Sequence, residues 1–249
     1  TWSLWSREIV RFVRQRSRIV GALGSPVLFW ILIGSGLGRS FQGSTMLSGG
    51  YLEYFYPGTL ALIVLFTAIF STISIIEDRH EGFLQGVLVA PISRAAIVLS
   101  KILGSATLAI AQAAIFLLAA PLVYDHLSAA SVALALVAIT LLSYALSGVG
   151  FSIAWMLDST QGFHAIMNLL LVPMWLLSGA LFPASGASGW VQVLMAVNPL
   201  TYGVAAIRTA FYGRTADAPG LAGSLGVLVA WCVVMTAIAV WQVERDRRG

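Results

Sequence analysis

Residues 55–94 read FYPGTLALIVLFTAIFSTISIIEDRHEGFLQGVLVAPISR. The run from Phe55 to Ile76 is apolar throughout, and about 20 such residues as a helix cross a hydrocarbon core about 30 Å thick. It stops at the cluster Glu77-Asp78-Arg79-His80-Glu81. A second apolar stretch begins at Phe83, is too short to cross a bilayer, and ends at Pro91, where the missing N–H and the ring break a helix. Arg94 follows, and a new long apolar run starts at Ile97. This predicts a span, a charged end, a short greasy helix on one side of the membrane, and a return span.

The same pattern extends along the chain. Further long apolar stretches run from Ile19 to Leu37, Ile97 to Val123, Ala129 to Leu157, Phe163 to Phe182 and Leu221 to Val243. The 249 residues are 59% hydrophobic and 10% charged, with a mean hydropathy of +0.90. Soluble domains carry about 25% charged residues, and a soluble core of this length leaves too much surface exposed to hide such a composition. Membrane-barrel strands alternate apolar and polar residues, whereas these runs are continuous. The expectation is an all-α membrane protein with six transmembrane helices, folded as one domain over residues 1–249.

All but three of the fourteen Lys and Arg residues fall on one side of such a topology. Arg7, Arg11, Arg14, Arg16 and Arg18 precede the first span; Arg79, Arg94 and Lys101 flank the second loop; Arg245, Arg247 and Arg248 close the chain. Arg39, Arg208 and Arg214 lie opposite. The positive-inside bias puts both termini in the cytoplasm. The net charge of +4 is accounted for by this topology, so no nucleic-acid partner is expected. Cys232 is single, which excludes an internal disulfide and a cysteine-based zinc site. The three histidines are far apart in the topology, and no metal is expected. The first residues are Arg-rich and amphipathic rather than a short apolar run, so no cleavable signal peptide is expected. The sequence starts at Thr1 rather than Met, which leaves room for a short leader.

On a helical wheel of residues 1–18, Arg7, Arg11, Arg14 and Arg18 share a narrow sector. Trp2, Trp5, Ile9, Phe12 and Val13 lie opposite, and Arg16 falls among them. This predicts a helix in the membrane interface, in contact with lipid headgroups. It is either a plain cationic anchor or a lever that passes on force from a partner.

The short helix after Gly82 needs something to bury its apolar side, and a charged span end followed by a greasy knob suits insertion into a groove of a partner protein. The bland alternative is a solvated charge cluster. Glu77 and Glu81 are four apart and share a helix face, placed to pair with the N-terminal arginines or with Lys101. A longer segment, 184–220, holds two short apolar pieces, Trp190 to Val197 and Leu200 to Tyr212, joined by the turn signal Asn198-Pro199. Neither is long enough to span, so they read as a re-entrant or interfacial pair before the last span.

Two stretches carry a family resemblance. Glu77 to Arg94, with its acidic-basic-acidic cluster, glycine, apolar pair and Leu-x-x-Pro-x-Ser-Arg ending, resembles the coupling-helix segment of type-2 ABC permeases. Asn198-Pro199-Leu200-Thr201-Tyr202, followed after five residues by Arg208, resembles that family's signature of Pro199, Leu200, Tyr202 and Arg208. The amphipathic start and the six spans match as well. The resemblance implies the transmembrane subunit of an ABC exporter in a plasma membrane, such as a bacterial inner membrane. It implies a pair of permeases, as a homodimer, and two copies of a separate ATPase that holds ATP and Mg. No cofactor is expected on this chain, which lacks a Gly-x4-Gly-Lys-Ser/Thr phosphate loop. ATPase coupling is implied for Glu77, Arg79, Glu81, Gly82, Leu84, Val87, Leu88, Pro91 and Arg94, with a second cytoplasmic contact at Asp158 and Gln161. The pathway is implied between the second and fifth spans, lined by Phe66, Phe70, Met167, Asn168, Met174 and Trp175, although ordinary packing accounts for each of these singly.

No acidic residue lies mid-span, and ion-coupled pumps need such a group. A partly lipophilic cargo is therefore expected: a drug, a lipid or a lipid-linked glycan. No catalytic residue is expected. An intramembrane serine protease needs a serine activated by histidine, and neither Gly-x-Ser-x-Gly nor Gly-x-Ser-Gly lies across from His164. The remaining alternative is a membrane scaffold or channel subunit without ATPase coupling, which has no use for the greasy knob.

Overall fold

Backbone groups in lipid must find partners within the chain, which leaves α-helix as the local solution for isolated apolar runs. In the computed structural model the described residues are 2–14, 16–37, 50–89, 92–124, 127–182, 184–213 and 219–245, and among them there is no strand. The helices are α1 (Trp2–Arg14), α2 (Arg16–Leu37), α3 (Gly50–Ser71), α4 (Ser74–His80), α5 (Phe83–Val89), α6 (Arg94–Leu117), α7 (Ala129–Met156), α8 (Thr160–Leu176), α9 (Gly189–Val197), α10 (Pro199–Tyr212) and α11 (Leu221–Arg245).

Four stretches are long and apolar enough to cross a membrane: Tyr51–His80, Arg94–Leu122, Ala129–Met156 and Leu221–Arg245. They correspond to the second, third, fourth and sixth expected spans. Of the first expected span, Pro26–Gly36 is apolar but short, and the fifth is α8, 17 residues long. α9 and α10 meet at an 83° bend, as Asn198-Pro199 predicts.

Local chemistry sets the helix ends. Ser93, Ser128 and Ser159 each accept a hydrogen bond from a first-turn amide of α6, α7 and α8, which fills one of the orphan donors there. Pro57 sits inside α3 and cannot bond the carbonyl of Glu53. That carbonyl accepts the hydroxyls of Tyr124 at 3.0 Å and Tyr212 at 2.5 Å instead.

α3 is the central helix, with Phe55, Tyr56, Leu60, Ile63, Leu65 and Ile69 all buried. Between α3 and α4 the backbone tightens at Thr72 and Ile73, with bonds such as Thr72 N to Ile69 O. α7 crosses at this break through Gly150, where an added Cβ would lie 2.8 Å from Thr72 Oγ1 and 3.1 Å from Ile69 Cα. Gly148 gives α11 the same close approach at Met235. These small residues let helices touch where apolar burial alone gives little attraction in lipid. α8 buries one stripe, Phe163, Met167, Leu171 and Trp175, and Trp175 Nε1 donates to Gly58 O of α3 at 3.1 Å. Most of the rest of α8 is exposed, with Met174 half-buried.

Candidate functional site

At the charged end of the bundle, Asp78 of α4 is fully buried among three cations. Arg7 donates to both of its oxygens, at 3.0 and 2.9 Å. Arg11 Nη1 adds a third bond at 3.0 Å, and Lys101 Nζ of α6 also binds Oδ2. Lys101 in turn donates to buried Glu8 at 2.6 Å. Arg11 Nη2 pairs with Glu77 at 3.0 Å and with Glu81 at 3.3 Å. The bonds to Asp78 hold the Arg7 guanidinium above its ordinary range, against the opposing effect of burial. The Arg7 guanidinium also lies 3.7 Å over the ring of Phe83, the first residue of α5.

This network requires α1 to lie on α6. Trp5 Nε1 donates to Thr107 at 3.1 Å, and at Gly104 an added Cβ would come within 3.0 Å of Glu8 Cβ. The N-terminal arginines Arg7 and Arg11 thus bind carboxylates of the chain itself, whereas Trp2 remains exposed. α1 is described to Arg14, and Arg16 and Arg18 fall within α2.

The next residue along α4 faces the other way. Arg79 donates to Asp158 at 2.7 Å, to Trp155 O at 2.7 Å and to Leu157 O at 3.4 Å, satisfying carbonyls left open at the end of α7. His80 Nε2 lies 2.6 Å from Asp158 O. The turn holding Asp158 is therefore joined directly to α4. Gln161 is exposed beside it.

Gly82, with φ of +73°, turns the chain from α4 into α5. Leu84 points into the core, so it is not the tip of a knob. Val87 is half-buried, and the outward surface of α5 is Gln85, Gly86 and Val89, the last 85% exposed. Arg94 opens α6. The side chain of Leu88, and Pro91 altogether, lie outside the described residues.

The pathway candidates do not share one surface. Met167 and Trp175 are buried between α8 and α3, whereas Asn168 is exposed. Phe66 and Phe70 are half-buried and in contact, and Phe70 stacks on His164 at 5.1 Å. Met174 lines an apolar cavity of about 590 Å³ with Leu169, Asn198, Pro199 and Trp231.

The Asn198–Arg208 stretch acts as a clamp. Asn198 accepts from Leu200 N at 3.0 Å, capping α10, and donates to Met174 O at 2.6 Å and Leu177 O at 3.3 Å. Thr201 also donates to Leu177 O. Tyr202 donates to Ala196 O at 2.7 Å, tying α10 to α9, and Arg208 donates to Gly179 O at 3.1 Å. Each of these acceptors is a carbonyl at or beyond the end of a helix. Pro199 and Leu200 are buried under the bend.

Sequence reasoning missed Asp78 and Lys101 as the centre of the charged end. Lys101 carried the signal, since a cation about one turn inside an apolar run needs a buried partner.

The sequence model described as ABC-2 type transporter matches residues 1–212. Nodulation protein J of Rhizobium leguminosarum bv. viciae is 28% identical over 98% of this chain and 93% of its own length. Nodulation protein J of Rhizobium meliloti (strain 1021) is 26% identical over 93% of this chain and 88% of its length. A Mycobacterium tuberculosis protein named "Probable doxorubicin resistance ABC transporter permease protein DrrC" is 26% identical over 92% of this chain and 82% of its length.

Proposed function

Since the chain belongs to the ABC-2 type transporter family, we propose that it is the membrane subunit of an ATP-driven exporter. It takes mechanical work from a separate ATPase and moves a lipophilic or lipid-linked substrate outward. The observation that carries this reading is the setting of α5. Its outward surface of Gln85, Gly86 and Val89 is left uncovered, while its base is held to α1 and α6 through Asp78 and to α7 through Arg79. A push on α5 therefore reaches both halves of the bundle, and α3 continues the push along the central axis. ATP and Mg belong to the partner.

The relative named for doxorubicin resistance agrees with a lipophilic cargo, as does the absence of an acidic group mid-span. In this reading the chain crosses the membrane six times with both termini inside, and α2 and α8 serve as the first and fifth spans. Their exposed apolar residues, among them Leu28, Phe29, Leu32, Leu169 and Val172, meet a second copy. Asn168 lies exposed on the same side of α8 as Val172, and an amide is costly to leave facing lipid.

The test is Val89→Glu, which puts a charge on the outward side of α5 without touching the core. Co-expressed with a candidate ABC ATPase from the same organism, the wild type is expected to co-purify with that ATPase and to transport in proteoliposomes. Val89→Glu should keep its fold and lose at least tenfold in ATP-driven transport. Unchanged transport by the variant, or a wild type that never retains an ATPase, would favour the scaffold or channel alternative.

A further inference from the structure

Arg208 lies at the end of the bundle opposite the charge cluster. It is one turn before Tyr212, whose hydroxyl binds Glu53 O, and its guanidinium sits 4.3 Å above the ring of Tyr54. Only 9% of Arg208 is accessible. A guanidinium has five N–H donors in one plane, and among the described residues the single acceptor it meets is Gly179 O. Nε is buried with no acceptor, and the Tyr54 hydroxyl is likewise buried without a partner. Among the described residues no carboxylate pairs with Arg208.

The Tyr54 ring covers the face of the cation but offers nothing to its in-plane N–H groups. The local set is thus a buried positive charge with an unfilled N–H, lying over a ring that carries an unfilled O–H. Such a set is costly while empty, and its complement is an acceptor that carries negative charge. Arginine suits this role because its planar fork matches phosphate and carboxylate oxygens. Tyr54 is one turn inside the start of α3 at Gly50, so the site lies near the helix ends, where headgroups rather than acyl chains are found.

We propose that Arg208 and Tyr54 bind an oxyanion, phosphate or carboxylate, carried on the headgroup of an amphiphile. The membrane's own anionic lipid and an anionic cargo share this chemistry. Binding also stiffens the joint between α8 and α10, since the same guanidinium holds the Gly179 turn. This inference goes beyond the transport reading and does not depend on it.

The experiment uses the purified full-length chain in neutral detergent and follows thermal unfolding with phosphatidylglycerol, with a neutral monoglucosyl diacylglycerol, or with inorganic phosphate. Phosphatidylglycerol is expected to raise the Tm several degrees more than the neutral glycolipid. Arg208→Gln should abolish the difference but also loosens the Gly179 turn. Tyr54→Phe keeps the ring and that turn, so it carries the test: its lipid-free Tm should match or exceed the wild type while at least half of the phosphatidylglycerol shift is lost. A shift with inorganic phosphate alone supports the site and assigns it to a free anion, and one that needs phosphatidylglycerol assigns it to a headgroup. Equal shifts with both lipids, or an undiminished phosphatidylglycerol shift in Tyr54→Phe, overturn the proposal.

Discussion

Asp78 concentrates the energetics of the charged end on one carboxylate. It is buried, and Arg7, Arg11 and Lys101 all donate to it. Removing one member of such a buried set leaves the others uncompensated, at a cost of about 3–5 kcal/mol. Asp78→Ala is therefore expected to lower unfolding stability in detergent by about that amount. The double variant with Lys101→Met should cost less than the sum of the singles, because it removes one of the stranded cations. Strict additivity in a thermal-unfolding cycle would mean that the two do not share a network. Asp158 differs in kind. Its side chain is largely exposed and screened by solvent, so the grip of Arg79 rests on the carbonyls of Trp155 and Leu157.

At the scale of elements, the bent pair α9–α10 and the end of α8 form one joint. α8 runs out at Leu176, and the carbonyls of Met174, Leu177 and Gly179 are taken by Asn198, Thr201 and Arg208. This gives the signature a physical basis: helix ends at membrane depth need donors from a neighbour. Asn198→Ala loses both the α10 cap and the donations, and is expected to destabilise by about 2–3 kcal/mol. Asn198→Asp keeps an acceptor for Leu200 N but loses the donor, so its cost should fall below that of alanine if the cap dominates. Hydrogen exchange read separately over α8 and α10 distinguishes the two contributions. Protection unchanged in both helices of the alanine variant would rule out the joint.

Over the whole molecule, burial is uneven. α3 is enclosed by α2, α6, α7, α8 and α10, whereas α8 buries a single stripe and leaves Ile166, Leu169, Leu170, Val172 and Leu176 exposed. If a second copy covers the flank that holds Val172, a cysteine placed there should crosslink into dimers in native membranes, in a background with Cys232→Ser. A cysteine at Val233 of α11, more exposed than Val172 but on a helix expected to face lipid, should not. Monomers alone from both positions would count against the homodimer.

The amino-acid sequence alone determined which segments are helical and that they belong in a membrane. A continuous apolar run has one low-energy state in lipid, and hydropathy and Pro91, Ser93 or Asn198-Pro199 are local signals that mark its limits. It also offered the N-terminal arginines or Lys101 as partners for Glu77 and Glu81, since opposite charges at one end of a bundle have few other partners. Only the tertiary structure decided that Asp78 rather than Glu77 takes the centre, that Leu84 turns inward, and that Arg79 reaches back to the end of α7. Those outcomes depend on which helices touch. Gly104 leaves α1 room to lie close against α6, where Glu8 reaches Lys101, and a contact between residues some ninety positions apart has no trace in any local pattern.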